Sequence, residues 1–256
     1  MAAAQRYVTE QWRASGLVVT ADEFSYKGRR FVNLIARPAR TRPGARLIIG
    51  AHLDTIAGTP GADDNASGVA ALLEVSRALA RVSWQRPVEF IAFMLEESGM
   101  IGSTHYAERL RRLGASILGM LSLEMLGFTA PEGAQRTPGS RPRPLPSRGT
   151  FIGVVANARS RPLLSAVTHA LQSVDGLPVE SWLVPEQGAT VPESRLSDHA
   201  PFWDRGFPAL LVTDTAFFRN PHYHQLSDTV ETLDLAFLER ITRGVVTAVE
   251  TLAVRR

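Results

Sequence analysis

Residues 88–97 read Val-Glu-Phe-Ile-Ala-Phe-Met-Leu-Glu-Glu, an apolar run that ends on two adjacent carboxylates. A short apolar run of this kind is typical of a strand in the core of a sheet. Neighbouring residues of a strand point to opposite faces, so Glu96 and Glu97 can have different roles at the strand's end. Because an unpaired carboxylate is costly to bury, the pair predicts a cation site in which one carboxylate binds the ion and the other handles a proton.

Strand and helix signals alternate on both sides of this run, which predicts an α/β fold. The predicted strands are two within 17–36, around a turn at 26–28, and then 46–51, 88–95, 117–123, 151–155, 179–184 and 208–213. Helical spacing of apolar residues predicts helices over 67–82, 103–113 and 162–174 and a closing helix from Leu235 to Leu252. Asn65 or Ser67 is the expected N-cap of the first of these helices.

The length and composition of the chain are those of one large domain, with 256 residues of which 45% are hydrophobic. No apolar run reaches the roughly 18 residues of a membrane-spanning helix, so we expect no membrane partner. The first residues lack the apolar core of a signal peptide, so we expect a cytoplasmic protein or the mature form of a secreted one. The absence of cysteine excludes disulfides and thiolate metal sites.

The basic residues of the chain do not predict nucleic-acid binding. The formal net charge is +3, and the arginines are scattered without interleaved aromatic residues. Several of them lie in 128–148, a stretch rich in Pro, Gly and Arg that has no apolar period. We interpret this stretch as a long surface loop inside one domain that spans residues 1–256.

Further carboxylates and a histidine follow other predicted strands. His52 and Asp54 come at the end of the strand 46–51, and Glu124 ends the strand 117–123. Asp64 lies among small residues in Gly61-Ala62-Asp63-Asp64-Asn65-Ala66-Ser67-Gly68, directly before a helix. A metal-bound imidazole usually donates its other ring N–H to a carboxylate, a role that suits Asp54. Each of these residues alone has an ordinary structural explanation, such as a helix cap or a salt bridge.

The last element of this constellation is Asn220-Pro221-His222-Tyr223-His224, in which both histidines or only one could be ligands. All the candidates lie at the carboxyl ends of predicted strands or in the loops that follow, which is where open α/β sheets bind ligands. Imidazoles and carboxylates without thiols suit Zn²⁺ or a similar divalent ion. So many carboxylates favour two ions, roughly 3.5–4 Å apart and bridged by one carboxylate.

In their order along the chain these motifs resemble the M28 family of metallopeptidases, the di-zinc aminopeptidases. The resemblance runs from about Leu47 to the C-terminus and includes Ser-Asp-His at 197–199 and Asp-Thr at 228–229. It implies a single-domain, three-layer α/β/α fold with a mixed, mostly parallel central sheet, like that of the zinc exopeptidases. The implied substrate is a peptide with a free N-terminus, and the implied cofactors are two Zn²⁺ ions.

The resemblance also implies a role for each site residue. His52, Asp64 and Glu124 would bind one zinc ion, and Asp64, Glu97 and His224 would bind the second. Glu96 would be the general base towards the attacking water, and Asp54 would support His52. Asp228 is expected near the last histidine or as a helix cap. Asp198 and His199 are expected to support a loop or to border the substrate, and an apolar side-chain pocket is expected from Met100, Met125, Phe217, Phe218 and Tyr223.

Two features leave alternatives open. Many members of the family have Asp where this chain has Glu124, and His222 is a possible ligand in place of His224. The alternative functions are a single-zinc acyltransferase related to glutaminyl cyclase and a non-catalytic binding module on the same fold. The first would need tryptophans beside the site, whereas Tyr223 precedes His224 here. The second would be expected to lose metal ligands, and this chain keeps all five candidates.

Overall fold

The computed structural model describes residues 2–139 and 141–254, and strands alternate with helices along this part of the chain. The strands are β1 (Val18–Tyr26), β2 (Arg29–Arg37), β3 (Arg46–His52), β4 (Val88–Phe93), β5 (Ile117–Glu124), β6 (Ile152–Ala156), β7 (Val179–Leu183) and β8 (Ala209–Thr213). The helices are α1 (Ala2–Ala14), α2 (Gly68–Ala78), α3 (Ile101–Arg112), α4 (Arg161–Gln172), α5 (Ala200–Asp204) and α6 (Leu235–Ala253).

The strands form one mixed sheet in the order β1-β2-β4-β3-β5-β8-β6-β7. The four central strands β4, β3, β5 and β8 are parallel, and β6 is parallel to β7. The pairs β1–β2, β2–β4 and β6–β8 are antiparallel. The carboxyl ends of all four central strands therefore reach the same edge of the sheet, and the predicted mixed, mostly parallel sheet is confirmed.

Helices cover both faces of the sheet, because successive strand residues point to opposite sides. Ile49 and Leu121 pack on one side in a core that includes residues of α1, α2, α4 and α6. Ile48 and Met120 pack on the other side with α3 and α5, which contribute Tyr106 and Phe202 among others. The three-layer α/β/α architecture is thus confirmed.

The predicted strands and long helices are all present, with boundaries that differ by a few residues. The helix predicted over 67–82 ends earlier, at Ala78. Its start is capped by the Asn65 side chain, whose Oδ1 accepts the backbone N–H of Gly68 at 3.1 Å. Helices α1 and α5 are not among the predictions. The sequence of α1 does contain an indication of a helix, since the buried residues Val8 and Trp12 are four positions apart and so lie on one helix face.

One carboxylate in the run 88–97 is structural. Glu89 is 1% exposed, and its Oε1 accepts from Arg37 Nε at 2.7 Å and lies 3.2 Å from Arg46 Nη1. Tyr106 donates its hydroxyl hydrogen to the other oxygen. This buried charge is thus paired with two arginines of the sheet and with Tyr106 of α3, so it needs no cation.

The segment 128–148 contains neither a helix nor a strand among its described residues. Its base is closed by a bridge between Ala130 and Gly149, and the N–H of Gly133 donates to Ser147 O at 3.1 Å. The excursion, as residues 128–148 are called below, contributes to a cavity on the face of β6 and β7. Within the described chain, no helix combines the length and apolar character needed to cross a bilayer.

Candidate metal centre

The candidate residues come together where the central strands end. His52 is the last residue of β3, Glu124 is the last residue of β5, and Glu97 follows β4 after a short connection. Parallel strands present these ends side by side, so residues far apart in the sequence become neighbours. The turn 62–67 adds Asp64, and the loop after β8 adds His224.

His52, Asp64 and Glu124 form the first potential ligand group, and all three are buried. His52 Nε2 lies 3.2 Å from Glu124 Oε1 and 3.3 Å from Asp64 Oδ1. Asp64, Glu97 and His224 form the second group. His224 Nε2 lies 3.1 Å from Asp64 Oδ2 and 3.2 Å from Glu97 Oε2. Asp64 therefore directs one oxygen to each group, the geometry of a bridging carboxylate.

The donor atoms in both groups fit divalent zinc. Two atoms bound to zinc at about 2.0–2.1 Å in a tetrahedral arrangement are roughly 3.3 Å apart, close to the observed separations of 3.1–3.3 Å. Glu97 Oε1 is buried without a hydrogen-bond partner in the described structure. An unpartnered buried oxygen is costly in a protein, so it also fits a cation at this place. Imidazole and carboxylate ligands without sulfur are those of zinc sites in hydrolases.

Asp54 supports the site in two ways. Its backbone carbonyl lies 2.9 Å from His52 Nδ1 and can only accept, so Nδ1 carries the hydrogen and Nε2 is free to bind a metal. Its carboxylate accepts the backbone N–H groups of Glu96 at 3.2 Å and Glu97 at 3.3 Å. The hydrogen bond to His52 is thus made by the main chain, whereas the Asp54 carboxylate lies 4.0 Å from the same ring nitrogen and orients the two glutamates.

The turn 62–67 is held by Asp228. The two oxygens of its carboxylate accept the N–H of Asp63 at 2.9 Å and of Asp64 at 3.2 Å. Gly68 lets this turn approach the end of β5, because a Cβ there would lie 2.5 Å from Leu123 O. Of the two roles left open for Asp228, the structure shows a cap, and it caps the turn that carries Asp64.

Ser197 positions Glu124, a contact that the sequence reasoning missed. Its hydroxyl donates to Glu124 Oε2 at 2.7 Å and lies 3.0 Å from Ser122 Oγ. This leaves Oε1 of Glu124 directed to His52. The sequence offered one indication of this role, because Ser197 directly precedes Asp198 in the Ser-Asp-His motif.

Positive φ angles adjoin several of the site residues. Leu95 before Glu96, Met125 after Glu124 and His224 itself have φ of 62°, 48° and 58°. Residues other than glycine are uncommon in this region and are held there by their surroundings, most often at functional sites. The chain therefore takes an unfavourable backbone conformation where it presents these side chains.

Burial and neighbouring charges shift the pKa values of the cluster. Burial opposes ionisation of Asp64, but hydrogen bonds from His224 and His52 lower the pKa of its carboxyl to about 2. Burial, and then the charge of Asp64, raise the pKa of Glu97 to about 7. Burial opposes a charged His52, yet Glu124 and Asp64 raise the pKa of its imidazole well above the usual value. The carboxylates of the cluster are thus stabilised by positive charge nearby, which divalent cations would supply.

Glu96 belongs to neither ligand group and lines the cavity beside them. Burial raises the pKa of its carboxyl well above the usual value, against the opposing charge of His52. The carboxylates of Glu124, Asp198 and Glu97 raise it further. A carboxylate next to the metal ligands with an elevated pKa is suited to accept and return a proton.

The remaining candidates are not in the ligand groups. His222 pairs its Nδ1 with Ser227 Oγ at 2.8 Å and packs edge-on against Phe128, so the geometry favours His224. Asp198 and His199 are fully buried, which rules out a border position for them. His199 Nε2 lies 2.8 Å from Ser194 O, a contact that supports the loop, as one of the two expectations had it.

A cavity of about 280 Å³ adjoins the cluster. All five residues expected for an apolar side-chain pocket line it, namely Met100, Met125, Phe217, Phe218 and Tyr223. Other apolar walls come from β6, β7 and β8 and from the excursion. A cavity of this kind beside a potential metal site is the expected form of a binding site for a small substrate or for one end of a larger one.

The chain is similar to known peptidases in sequence. The profile of Peptidase family M28 matches residues 33–249. An uncharacterised protein of Escherichia coli (strain K12), YfbL, is 35% identical over 263 residues, which covers 94% of this chain and 77% of the relative. A probable leucine aminopeptidase of Trichophyton verrucosum is 29% identical and covers 79% of this chain. This chain spans only 52% of that aminopeptidase.

Solved structures show the same fold. LapB from Legionella pneumophila has a TM-score of 0.79 at 21% identity and covers 98% of this chain and 65% of its own. A zinc aminopeptidase from Bacillus subtilis has a TM-score of 0.68 at 23% identity, with 90% of this chain and 52% of that one covered. Porphyromonas gingivalis glutaminyl cyclase has a TM-score of 0.72 at 18% identity, with 96% of this chain and 88% of that one covered. At these identities the likeness establishes the fold alone.

Proposed function

The chain belongs to peptidase family M28, and from this we propose that it is a zinc-dependent aminopeptidase that removes N-terminal residues from peptides. The observation that carries the proposal is Asp64, which directs one oxygen to each of two imidazole–carboxylate groups while Glu96 stays outside both. The curated relatives named as leucine aminopeptidases support the same reaction. Two Zn²⁺ ions are the cofactors that we assign to the two groups.

Zinc bound in these groups would polarise the scissile carbonyl and lower the pKa of a water molecule to about 7. The chain's own residues then account for positioning and proton transfer. Asp54 fixes the backbone of Glu96 and Glu97 through their N–H groups. Glu96 accepts the proton of the attacking water and returns it to the amine that leaves.

The substrate is a peptide with a free N-terminus. The cavity adjoins the ligand groups and has mainly apolar walls, so it suits the side chain of the first residue. The candidate metal ligands Asp64 and Glu97 also line the cavity, so a free amino group bound there would lie beside the metal site. A peptide blocked at its N-terminus would lack this group and would be a poor substrate.

The test is hydrolysis of a panel of aminoacyl p-nitroanilides by zinc-loaded enzyme, with acetylated analogues as controls. We expect release of nitroaniline from the free aminoacyl substrates only. In Glu96→Gln the zinc content should stay at the wild-type value, whereas kcat should fall at least about 10²-fold, the usual contribution of a general base. Equal kcat in the variant would refute the role of Glu96.

Two other outcomes of this test would each indicate a different function. Conversion of an N-terminal glutaminyl substrate to its cyclic form without release of free amino acid would indicate a cyclase. Bound zinc without turnover of any substrate in the panel would indicate a non-catalytic binding module.

A further inference from the structure

The floor of the cavity is a row of paired strand residues that runs away from the metal ligands. Glu124 of β5 pairs with Thr213 of β8, Thr213 pairs with Gly153 of β6, and Gly153 pairs with Glu180 of β7. Three steps between strands at about 4.8 Å each give a row roughly 14 Å long. All four residues line the cavity, and Gly153 keeps its middle open because it has no side chain.

The neighbouring row of the same floor is apolar. Leu211 pairs with Val155, and Val155 pairs with Trp182. All three line the cavity, two positions along the strands from the first row and on the same face. The floor thus offers an apolar surface that begins at the metal ligands and ends at the outer strand β7.

The excursion is the opposite wall of this cavity. Pro138, Arg141 and Leu145 line it, although they are distant in sequence from the strands of the floor. Pro138 is buried, which a loop directed into solvent would not show. The excursion therefore packs over the sheet and determines how far the cavity extends.

Arg219 fastens the base of the excursion. It is 4% exposed, and its Nε donates to Gln135 Oε1 at 2.9 Å. Nη1 donates to Gly149 O at 2.9 Å, and Nη2 donates to Phe151 O at 2.8 Å. Nη1 also donates to Phe128 O at 3.3 Å, so the acceptors lie at both ends of the excursion. A buried arginine with such acceptors holds a loop in one conformation, because a released acceptor would stay buried without a partner.

An ion pair holds the tip of the excursion against β7. Arg141 Nη2 lies 2.8 Å from Glu180 Oε2, and the Arg141 side chain is only 11% exposed. The guanidinium also lies 5.9 Å from the centre of the Trp182 ring. Both partners line the cavity, so the pair closes its far end by joining the excursion to the outer strand.

We propose that the excursion is the specificity element of this peptidase, with the Arg141–Glu180 pair as a latch that closes the cavity around a large apolar N-terminal side chain. The inference rests on the proposed function, since it concerns the residue that the enzyme removes. A leucyl or phenylalanyl side chain would lie against the apolar floor and extend towards the wall, whereas an alanyl side chain would leave more of the cavity empty. Each methylene that fills an apolar pocket is worth about tenfold or more in kcat/KM.

The test breaks and then rebuilds the latch. We expect Arg141→Glu and Glu180→Arg each to lower the ratio of kcat/KM for leucyl over alanyl p-nitroanilide at least about fivefold. The double variant with both substitutions restores the opposite charges and should recover most of the wild-type ratio. Arg143→Glu is the matched control, because Arg143 is exposed in the same excursion and does not line the cavity. It should leave the ratio unchanged.

A measurement without substrate separates this inference from the proposed function. Limited trypsin digestion should cut the excursion faster in Glu180→Arg than in the wild type, and at the wild-type rate in the double variant. No hydrolysis of any aminoacyl substrate by the wild type would refute the proposed function and with it the specificity role. Hydrolysis with an unchanged leucyl-to-alanyl ratio in both single variants would refute only the specificity role. Unchanged trypsin cleavage, or a double variant that stays impaired, would refute the latch.

Discussion

At the scale of single residues, the role of Asp64 depends on the direction of its side chain. Its two oxygens lie 3.3 Å from His52 Nε2 and 3.1 Å from His224 Nε2, so one carboxylate serves two imidazoles. Nothing in the residue type distinguishes Asp64 from Asp63 beside it. Asp63 instead accepts the Gly127 N–H at 2.8 Å and the Asn220 side-chain amide at 2.7 Å, which is a structural role.

The two nearby histidines provide a direct test of the ligand assignment. His224→Ala should lower bound zinc from two ions towards one per chain, because it removes the only imidazole of its group. His222→Ala should keep the wild-type zinc content, since His222 pairs with Ser227 instead. Metal analysis after dialysis against a weak chelator measures both, and the reverse pattern would refute the assignment of His224.

His199 should affect the pH dependence of stability. Burial lowers the pKa of its imidazole to about 4, whereas an unfolded histidine titrates near 6.5. Between these two pH values the unfolded chain binds the proton and the folded chain does not, so stability falls as the pH falls. The loss attributable to His199 reaches about 3 kcal/mol. Urea unfolding of the metal-free protein at several pH values should show a smaller loss in His199→Gln, whereas His169→Gln, which changes an exposed histidine, should behave like the wild type.

At the scale of elements, the turn 62–67 joins the fold to the chemistry. Its small residues let the backbone pack closely against its neighbours, and the helix that follows begins at Gly68, which lies against the end of β5. What holds the turn is Asp228, more than 160 positions later in the chain. A local pattern can show that a turn needs support, but it cannot show where the support comes from.

Removal of the Asp228 carboxylate should therefore damage both stability and metal binding. Asp228→Ala leaves the buried N–H groups of Asp63 and Asp64 without acceptors, at a cost of about 1–3 kcal/mol for such a group. Zinc affinity should fall as well, because Asp64 is no longer held. Asp234→Ala is the control, since Asp234 caps α6 through the Phe237 N–H at 2.9 Å. It should cost about 1 kcal/mol of stability and leave zinc affinity unchanged, and similar zinc affinities in the two variants would contradict the role of Asp228.

At the scale of the whole molecule, the parallel centre of the sheet is what assembles the site. Residues at the ends of β3 and β5 and in the connection after β4 meet the turn 62–67 and the loop after β8 at one edge. The candidate ligands come from segments separated by up to 172 positions of sequence, from His52 to His224. A ligand that binds all of them at once must stabilise the complete fold relative to the unfolded chain.

Removal of zinc should consequently lower the stability of the whole chain. At a free zinc concentration about 1,000 times the dissociation constant, the folded state gains roughly 4 kcal/mol. Urea unfolding with zinc and with chelator should show this difference in the wild type and in Glu96→Gln, because Glu96 is not a ligand in the assignment. Asp64→Ala should show little difference, and a full zinc effect in that variant would contradict the bridging role.

The sequence by itself determined the fold class, most element positions and the residue types of the site. This was possible because buried strands and amphipathic helices have distinct periods, and because strands of an α/β sheet present their carboxyl ends at one edge. Only the tertiary structure decided that His224 and not His222 faces Asp64, that the Asp54 carboxylate holds Glu96 and Glu97, and that the excursion lines a cavity in which Arg141 pairs with Glu180. These features depend on strand register and on contacts between distant segments, and no local pattern of residues encodes them.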